Sequence, residues 1–219
     1  NRTAQDYLEI YMTFGGVPQY WIQLHPKLSL QQNLNEYAFK TSGYFFGEFA
    51  RLFVSHFAAN PSYEKILRAL AIEPRTLDDL ANAIGKSSGG TLSNHISELE
   101  MAGFIERYTP LGKKTTGKNR LVRFRLTDEY LHFYFQLIEP NGPAIASGSL
   151  SFREAEMTKK FPQWQGYAFE RLCRRHAGQI AEHLQFAGIK YESGSWFQRG
   201  AQIDLCLLYT SDAADETCR

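Results

Sequence analysis

Apolar residues recur at helical spacing through the first quarter of the chain. In YLEIYM (7–12), pairs of apolar residues lie one helical turn apart and so share one face. The segment GGVPQY (15–20) interrupts this pattern, because its two glycines free the backbone and Pro18 suits the first turn of a helix. We therefore predict helices on both sides of this break, over residues 3–57.

Residues 60–127 show a different pattern, in which short helical periods give way to strand-like alternation. Asn60 and Thr76 are typical helix caps, and Gly85 and Gly103 are typical helix ends. The inward positions of the three predicted helices are Ile66, Leu67 and Leu70, then Leu77, Leu80, Ala81 and Ile84, then Leu92, Ile96 and Leu99. FIERYTP and RLVRFRLTD alternate as strands do, with a polar loop between them. Three helices, a strand, a loop and a strand predict a winged helix-turn-helix.

The rest of the chain divides into three predicted segments. EYLHFYFQLIEPN (129–141) is predicted as an apolar helix, and the small residues of GPAIASGSLS (142–151) indicate a linker. QWQGYAFERLCRRHAGQIAEHLQ (163–185) is predicted as one long helix, followed by a β-hairpin of GSWFQ and AQIDLCLL. The apolar face predicted for the long helix consists of Phe169, Leu172, Cys173, Ile180 and Leu184.

Composition favours a soluble cytoplasmic protein. The 219 residues are 43% hydrophobic, which is enough for one large or two small domains. The sequence contains no run of 18 apolar residues and no secretory signal, so we expect no membrane span. The three cysteines, Cys173, Cys206 and Cys218, have no pairing pattern or metal spacing, which favours a reduced cytosolic setting. Because the chain begins with Asn1 rather than Met, we interpret it as a fragment.

Positive charge is concentrated in the predicted wing. The net charge is only +1, but Arg107 to Arg125 holds seven basic residues and no acid. The second helix of a helix-turn-helix pair enters the major groove, so its outward residues are candidates for DNA contact. The candidates on and before this helix are Lys86, Ser87, Ser88, Thr91, Ser93, Asn94, His95 and Ser97. The candidates in the wing are Lys113, Lys114, Lys118 and Arg120, which can neutralise phosphates. Docking of a protein partner is the alternative role for the same module.

Six segments in this order resemble the C-terminal half of archaeal-type P-loop ATPases of the AAA+ class. They are YMTFGGVPQYW, PSYEKILRALA, LSNHISELEMAGFIERYTPLG, RFRLTDEYLHFYFQLIEPN, GYAFERLC and GAQIDL. The resemblance implies a helical lid, a winged helix and a nuclease-like domain of unknown function, the DUF family numbered 234. It also implies ATP and Mg²⁺ as cofactors of a longer parent. This chain lacks the phosphate-binding pattern GxxxxGK[ST], so we expect no cofactor and no ATP hydrolysis in the chain alone.

The nuclease-like part carries an incomplete candidate metal site. By resemblance to PD-(D/E)XK nucleases, Glu170 in GYAFERL has the helix position and Asp204 in AQIDL has the hairpin position. Mg²⁺ prefers several oxygen ligands in an octahedron, and the expected Glu-x-Lys strand does not follow. We therefore predict that Glu170 and Asp204 bind a divalent metal weakly at most and that the chain is inactive as a nuclease. For an intact parent, a metal-dependent DNA endonuclease remains an alternative.

The last residues, CLLYTSDAADETCR, show no strand pattern and no lysine, and we interpret residues 206–219 as a non-native tail. The predicted regions are a helical lid remnant (1–58), a winged helix with a trailing helix (59–142), a linker (143–151) and a truncated restriction-endonuclease-like unit (152–205). The predicted fold class is mostly α with small α+β parts. The predicted function is recognition of DNA or of a protein partner for an ATP-driven machine, and a stand-alone transcription regulator is a further alternative.

Overall fold

The computed structural model describes residues 2–57, 60–111, 122–186, 189–198 and 201–209. As predicted, the fold of these described residues is mostly helical, with two small antiparallel sheets. No helix in the described ranges is both long enough and apolar enough to cross a bilayer. The chain forms two compact units: Asn1–Tyr108 with Val122–Ala168, and Thr109–Leu121 with Phe169–Arg219.

The first unit begins with four helices, α1 (Ala4–Phe14), α2 (Pro18–Gln23), α3 (Leu30–Tyr37) and α4 (Tyr44–Phe57). The predicted break between α1 and α2 is confirmed. Gly15 has a φ of 67°, a conformation that favours glycine, and Pro18 is the first residue of α2. Together these two residues end α1 and restart the chain as a second helix.

Aromatic side chains form the core of this unit. Phe14 stacks on Phe45 with ring centroids 4.1 Å apart, and Phe133 meets Phe14 edge-on at 6.2 Å. Tyr130 is fully buried, and its hydroxyl donates to the carbonyl of Phe45 at 2.8 Å. This hydrogen bond satisfies the polar end of a buried ring, so the aromatic cluster joins α4 to the helix that follows the winged helix.

The winged helix has the predicted order of elements. It consists of α5 (Pro61–Ile72), α6 (Leu77–Ile84), α7 (Gly90–Met101), β1 (Ile105–Tyr108) and β2 (Arg123–Leu126). The strands pair antiparallel with Ile105 opposite Leu126, and Arg75 forms an additional bridge to Phe124. The pattern of caps, apolar periods and glycines therefore predicted this part of the fold correctly.

The segment after β2 differs from the prediction. Instead of one α-helix, it contains α8 (Glu129–Phe133), a π-helix (Tyr134–Ile138) and a 3₁₀ turn (Glu139–Asn141). The predicted linker is also wrong in part, because the helix α9 (Gly142–Ala146) occupies its first half. The next helix, α10 (Phe152–Glu156), begins directly after the linker. Ile145 is buried there, and Pro143 stands in the first turn of α9, where a proline is well tolerated.

The last helices also depart from the prediction. The expected long helix is two helices, α11 (Lys160–Arg175) and α12 (Ala177–His183), separated at His176. Of the predicted apolar face, Phe169 is 52% exposed and Leu184 is 57% exposed. The buried residues of α11 are instead Phe161, Trp164 and Ala168, which precede the predicted face along the helix. The predicted face is therefore wrong for Phe169 and Leu184, whereas Leu172, Cys173 and Ile180 are half-buried.

The second unit contains the predicted hairpin, β3 (Tyr191–Gln198) and β4 (Ala201–Tyr209). The two strands pair antiparallel, with an irregularity between Gly194 and Trp196. Gly194 lies against Leu111 of the same unit, so closely that an added Cβ would be 2.9 Å from the Leu111 Cγ. A glycine is therefore required at this position of β3 unless Leu111 moves.

The interpretation of the C-terminal residues needs one correction. The predicted hairpin strand AQIDLCLL is confirmed, because Cys206–Tyr209 continue β4 and pair with the first residues of β3. The description of the chain from Cys206 onward as lacking a strand pattern is therefore wrong for Cys206–Tyr209. Residues beyond Tyr209 lie outside the described ranges. Their non-native origin stays a prediction.

Candidate nucleic-acid interface

Local interactions fix the helix-turn-helix at both ends of α6. The hydroxyl of Thr76 accepts from the backbone N–H of Asp79 and donates to its carboxylate at 2.7 Å, which lowers the pKa of Asp79. Gly85 ends the helix in the left-handed conformation, and its N–H bonds back to the last turn. After the turn, Leu92, Ile96 and Leu99 bury one face of α7, and the opposite face of α7 is consequently directed outward.

The predicted DNA-contacting residues of α7 differ in exposure and in whether their hydroxyl groups already donate hydrogen bonds. Thr91, Asn94 and Ser97 are exposed, as predicted for residues that face a partner. Two serine hydroxyls, however, bond to the helix itself: Ser93 donates to the Gly89 carbonyl at 3.4 Å, and Ser97 donates to the Ser93 carbonyl at 3.0 Å. In the unbound protein, both hydroxyl groups therefore already donate hydrogen bonds to the backbone. Asn94 and Thr91 are the polar side chains of this face that are more available to a bound partner.

His95 lies at the edge of the outward face. Its ring packs on Tyr63 of α5 with centroids 4.7 Å apart, and the residue is half-buried. The Nδ1 atom is buried and has no hydrogen-bond partner within the described part of the chain. His95 therefore contributes more to the packing of α7 on α5 than the sequence suggested.

Glu98 is an outward residue of α7 that the sequence analysis overlooked. It is exposed, one turn beyond Asn94, and its carboxylate accepts a hydrogen bond from the Tyr63 hydroxyl. This bond raises the pKa of Tyr63. The spacing of Glu98 from Asn94 would have identified the carboxylate, whereas its partner on α5 follows only from the fold.

The predicted phosphate contacts before α7 are accessible. Lys86, Ser87 and Ser88 are all exposed in the turn that connects α6 and α7. The ammonium group of Lys86 donates to the hydroxyl of Ser62 at 2.7 Å, which ties the turn to the first residues of α5. A long and mostly exposed lysine can exchange such a bond for a phosphate at small cost.

The basic strip, which is the set of seven basic residues from Arg107 to Arg125, is less available on the strands β1 and β2 than its composition suggests. Arg107 donates from Nε to Glu100 at 2.6 Å, and Arg125 donates to Glu106 at 2.5 Å. Arg123 donates to the carbonyl of Pro74 at 3.5 Å. The side-chain hydrogen bonds between Arg107 and Glu100 lower the pKa of Glu100 and raise that of Arg107, and the opposite charges add to both shifts. Lys113, Lys114, Lys118 and Arg120 lie outside the described residues, and their contacts stay predictions.

The predicted nuclease-like residues are both in the second unit, on α11 and β4. Glu170 is half-buried and forms an ion pair with Arg174 one turn later, with N and O atoms 3.5 Å apart. Asp204 belongs to β4, and its side chain lies outside what the structure describes. Within the described ranges, no three histidine, cysteine or acidic residues are grouped as a metal site would require. The described residues thus supply one carboxylate, already paired with arginine, and octahedral Mg²⁺ needs further oxygen ligands.

Two protein-family models match separate parts of the chain. The first is described as the DprA winged helix domain and matches residues 55–109, which include α5, α6, α7 and β1. The second is the DUF234 family, described as archaea bacterial proteins of unknown function, and it matches residues 134–215. The predicted winged helix and the predicted similarity to that family are both confirmed, whereas neither family description mentions an ATPase.

A curated relative matches nearly the whole chain. It is an uncharacterized protein of Methanocaldococcus jannaschii, 28% identical over 210 residues, which are 95% of this chain and 46% of that protein. The chain therefore spans about half the length of this relative. No solved structure matches the chain significantly.

Proposed function

We propose that the winged helix binds duplex DNA, with α7 in the major groove and the wing beside the phosphate backbone. The observation that carries this proposal is the outward face of α7, where Thr91, Asn94 and Ser97 are exposed and polar. Short hydrogen-bonding side chains at these positions suit the edges of base pairs. The similarity of residues 55–109 to a winged helix domain supports the same role.

The wing lysines supply most of the attraction to phosphates in this proposal. The described arginines of β1 and β2 are engaged by Glu100, Glu106 and the Pro74 carbonyl, so the remaining cations of the strip are those of the loop. Each phosphate that a protein neutralises contributes about 0.9 to the slope of log affinity against log salt on duplex DNA. The loop therefore determines how strongly binding depends on salt.

Changing Lys113 and Lys114 together to alanine should reduce that salt slope by about two. Fluorescence anisotropy of a labelled duplex, titrated at several salt concentrations, measures the slope. Lys65→Ala is a matched control, because this exposed lysine lies on α5 rather than in the wing and should leave the slope unchanged. Equal slopes for wild type and the double variant would exclude the wing lysines as phosphate contacts.

Docking of a protein partner is the second candidate function. It is favoured by the ion pairs that occupy Arg107 and Arg125 and by Met101, which is 85% exposed at the end of α7. A duplex affinity that is weak and insensitive to salt would favour this alternative. Duplex binding that weakens with added salt would instead favour DNA binding as the function of the winged helix.

We further propose that the chain belongs to a longer ATP-dependent protein. This rests on the resemblance of its six segments to AAA+ ATPases and on a relative about twice as long. ATP and Mg²⁺ would then bind outside this chain. A P-loop elsewhere in the parent gene would support the ATPase, whereas its absence would favour a stand-alone transcription regulator.

Nuclease chemistry in the parent is a separate alternative, because the order of α11, β3 and β4 places Glu170 on a helix and Asp204 on a hairpin strand. We expect no plasmid nicking by this chain in Mg²⁺ or Mn²⁺, since two carboxylates without a third acid and a lysine leave water unactivated. Nicking that disappears in Asp204→Ala would contradict this expectation and make the chain an enzyme.

A further inference from the structure

The outward face of α7 has a defined centre. With 3.6 residues per turn, the position opposite the buried Leu92 and Ile96 is Asn94, one turn before Glu98. Thr91 and Glu98 lie next to Asn94, both on the side of α7 that faces α5. On that side the Tyr63 hydroxyl donates a hydrogen bond to the Glu98 carboxylate. A groove that receives α7 would therefore meet Asn94 and Glu98 together.

The composition of α7 restricts which bases it can recognise. The helix, GTLSNHISELEM, contains no lysine or arginine, the residues that contact guanine most often through its O6 and N7 atoms. The Ser97 hydroxyl donates to its own helix, and His95 packs against Tyr63. An amide and a carboxylate remain as the strongest base-contacting groups on the outward face.

Asn94 has the chemistry to recognise adenine. Its side chain is exposed, and no hydrogen bond to it occurs among the residues the structure describes. A side-chain amide can accept from the adenine N6 amino group while donating to N7, which makes a two-point contact in the major groove. Asn94 can make this contact without giving up an existing partner in the described part of the protein.

Glu98 has the complementary chemistry for cytosine. A carboxylate accepts hydrogen bonds only, and the cytosine N4 amino group is the donor that C·G pairs present in the major groove. The Tyr63 hydroxyl uses one of the lone pairs of this carboxylate and restricts its orientation. Because the Tyr63 ring also packs on His95, its position relative to α7 is fixed at two points. Tyr63 is thus a positioning residue for Glu98.

We propose that α7 selects base amino groups, with Asn94 contacting an adenine and Glu98 a cytosine close by in the same major groove. Four residues advance a helix by about 6 Å, and successive base pairs are about 3.4 Å apart, so the two bases lie within one or two steps. This inference rests on the proposed duplex-DNA function and adds its sequence preference.

Selection of bound duplexes from a random library, followed by sequencing, tests the inference. The wild-type chain should enrich an adenine and a cytosine one or two steps apart. Asn94→Ala should lose preference at the adenine alone, and Glu98→Gln should change the cytosine to adenine, the base that glutamine prefers. A two-point contact of this kind discriminates by roughly 5- to 150-fold, which sequencing resolves easily.

Two further variants separate base recognition from folding. Tyr63→Phe keeps the ring against His95 but removes the hydroxyl, so it should weaken preference at the cytosine and leave the adenine unchanged. Lys65→Ala, at an exposed position of α5 outside the proposed contact surface, is the control and should leave the whole profile unchanged. Circular dichroism confirms that each variant has the wild-type helix content.

The possible results distinguish the inference from the function on which it rests. Salt-sensitive duplex binding with an unchanged profile in Asn94→Ala and Glu98→Gln would overturn the base assignment and leave DNA binding intact. Absence of duplex binding by the wild-type chain would overturn both. Enrichment of guanine opposite Asn94 or Glu98 would also contradict the assignment, because neither side chain is suited to the two acceptors of that base.

Discussion

Replacing Phe161 by alanine is expected to lower the free energy of unfolding by about 3–5 kcal/mol. Phe161 is 6% exposed on α11, where it stacks on Trp164 at 5.6 Å and meets Phe152 edge-on at 5.3 Å. Removing the ring leaves a cavity between these two aromatic side chains and forfeits its burial. Urea unfolding followed by far-ultraviolet circular dichroism measures the loss.

Phe169→Ala is the matched control for this prediction, with the same substitution on the same helix. Phe169 is 52% exposed, so we expect a loss of about 1 kcal/mol or less. The sequence pattern had placed Phe169, and not Phe161, on the buried face of α11. A larger loss for Phe169→Ala than for Phe161→Ala would show that the sequence pattern was right and the described packing wrong.

Ending the chain after Leu205 is expected to abolish the hairpin of the second unit. The truncation removes Cys206–Tyr209, which pair with Tyr191–Gly194 and account for four of the seven register pairs of β3 and β4. A two-stranded sheet is marginally stable even when complete. Amide hydrogen exchange should therefore show that β3 loses its protection, with no protected core left in that hairpin.

Ending the chain after Tyr209 is the control, because it removes only residues 210–219. These residues lack any hydrophobic period, so their removal should change stability by no more than about 0.5 kcal/mol. Equal damage from both truncations would show that residues 210–219 pack against the protein. The interpretation of the tail as foreign would then be untenable.

The winged helix could be predicted because each of its elements has its own local determinants. Asn60 and Thr76 cap their helices through side-chain hydrogen bonds, and Gly85 adopts the left-handed conformation that ends α6. These interactions connect residues two to four positions apart, so they are visible in the sequence itself. The order of elements then follows without knowledge of distant contacts.

The predictions that failed concern segments whose structure is determined by contacts between residues far apart in the sequence. Both faces of α11 carry aromatic residues at helical spacing, and only the packing of Phe161 and Trp164 against Phe152 and Phe133 shows which face is buried. The predicted linker has small residues that suit a helix as well as a loop. Burial of Ile145 decides between these two states, and a sequence pattern does not contain that information.

The candidate site was predictable in outline only. The outward position of Asn94 follows from the helical period, and the exposed turn at Lys86 follows from the helix-turn-helix order. The hydrogen bond between Tyr63 and Glu98 joins two residues that are 35 positions apart in the sequence, on α5 and α7. The hydrogen bonds of the strand arginines depend on the register of β1 and β2. Such pairs require the folded structure.

The most direct test of the account is to map the DNA-binding surface on the protein by amide chemical shifts. A ¹⁵N-labelled chain is titrated with a short duplex at low salt, and the shifts are compared with those of the free protein. The account predicts that the largest changes fall on the turn at 86–89, on Thr91, Asn94 and Glu98 of α7, and in the wing. Changes confined to other surfaces, or none at saturating duplex, would contradict the claim that the winged helix binds DNA through α7.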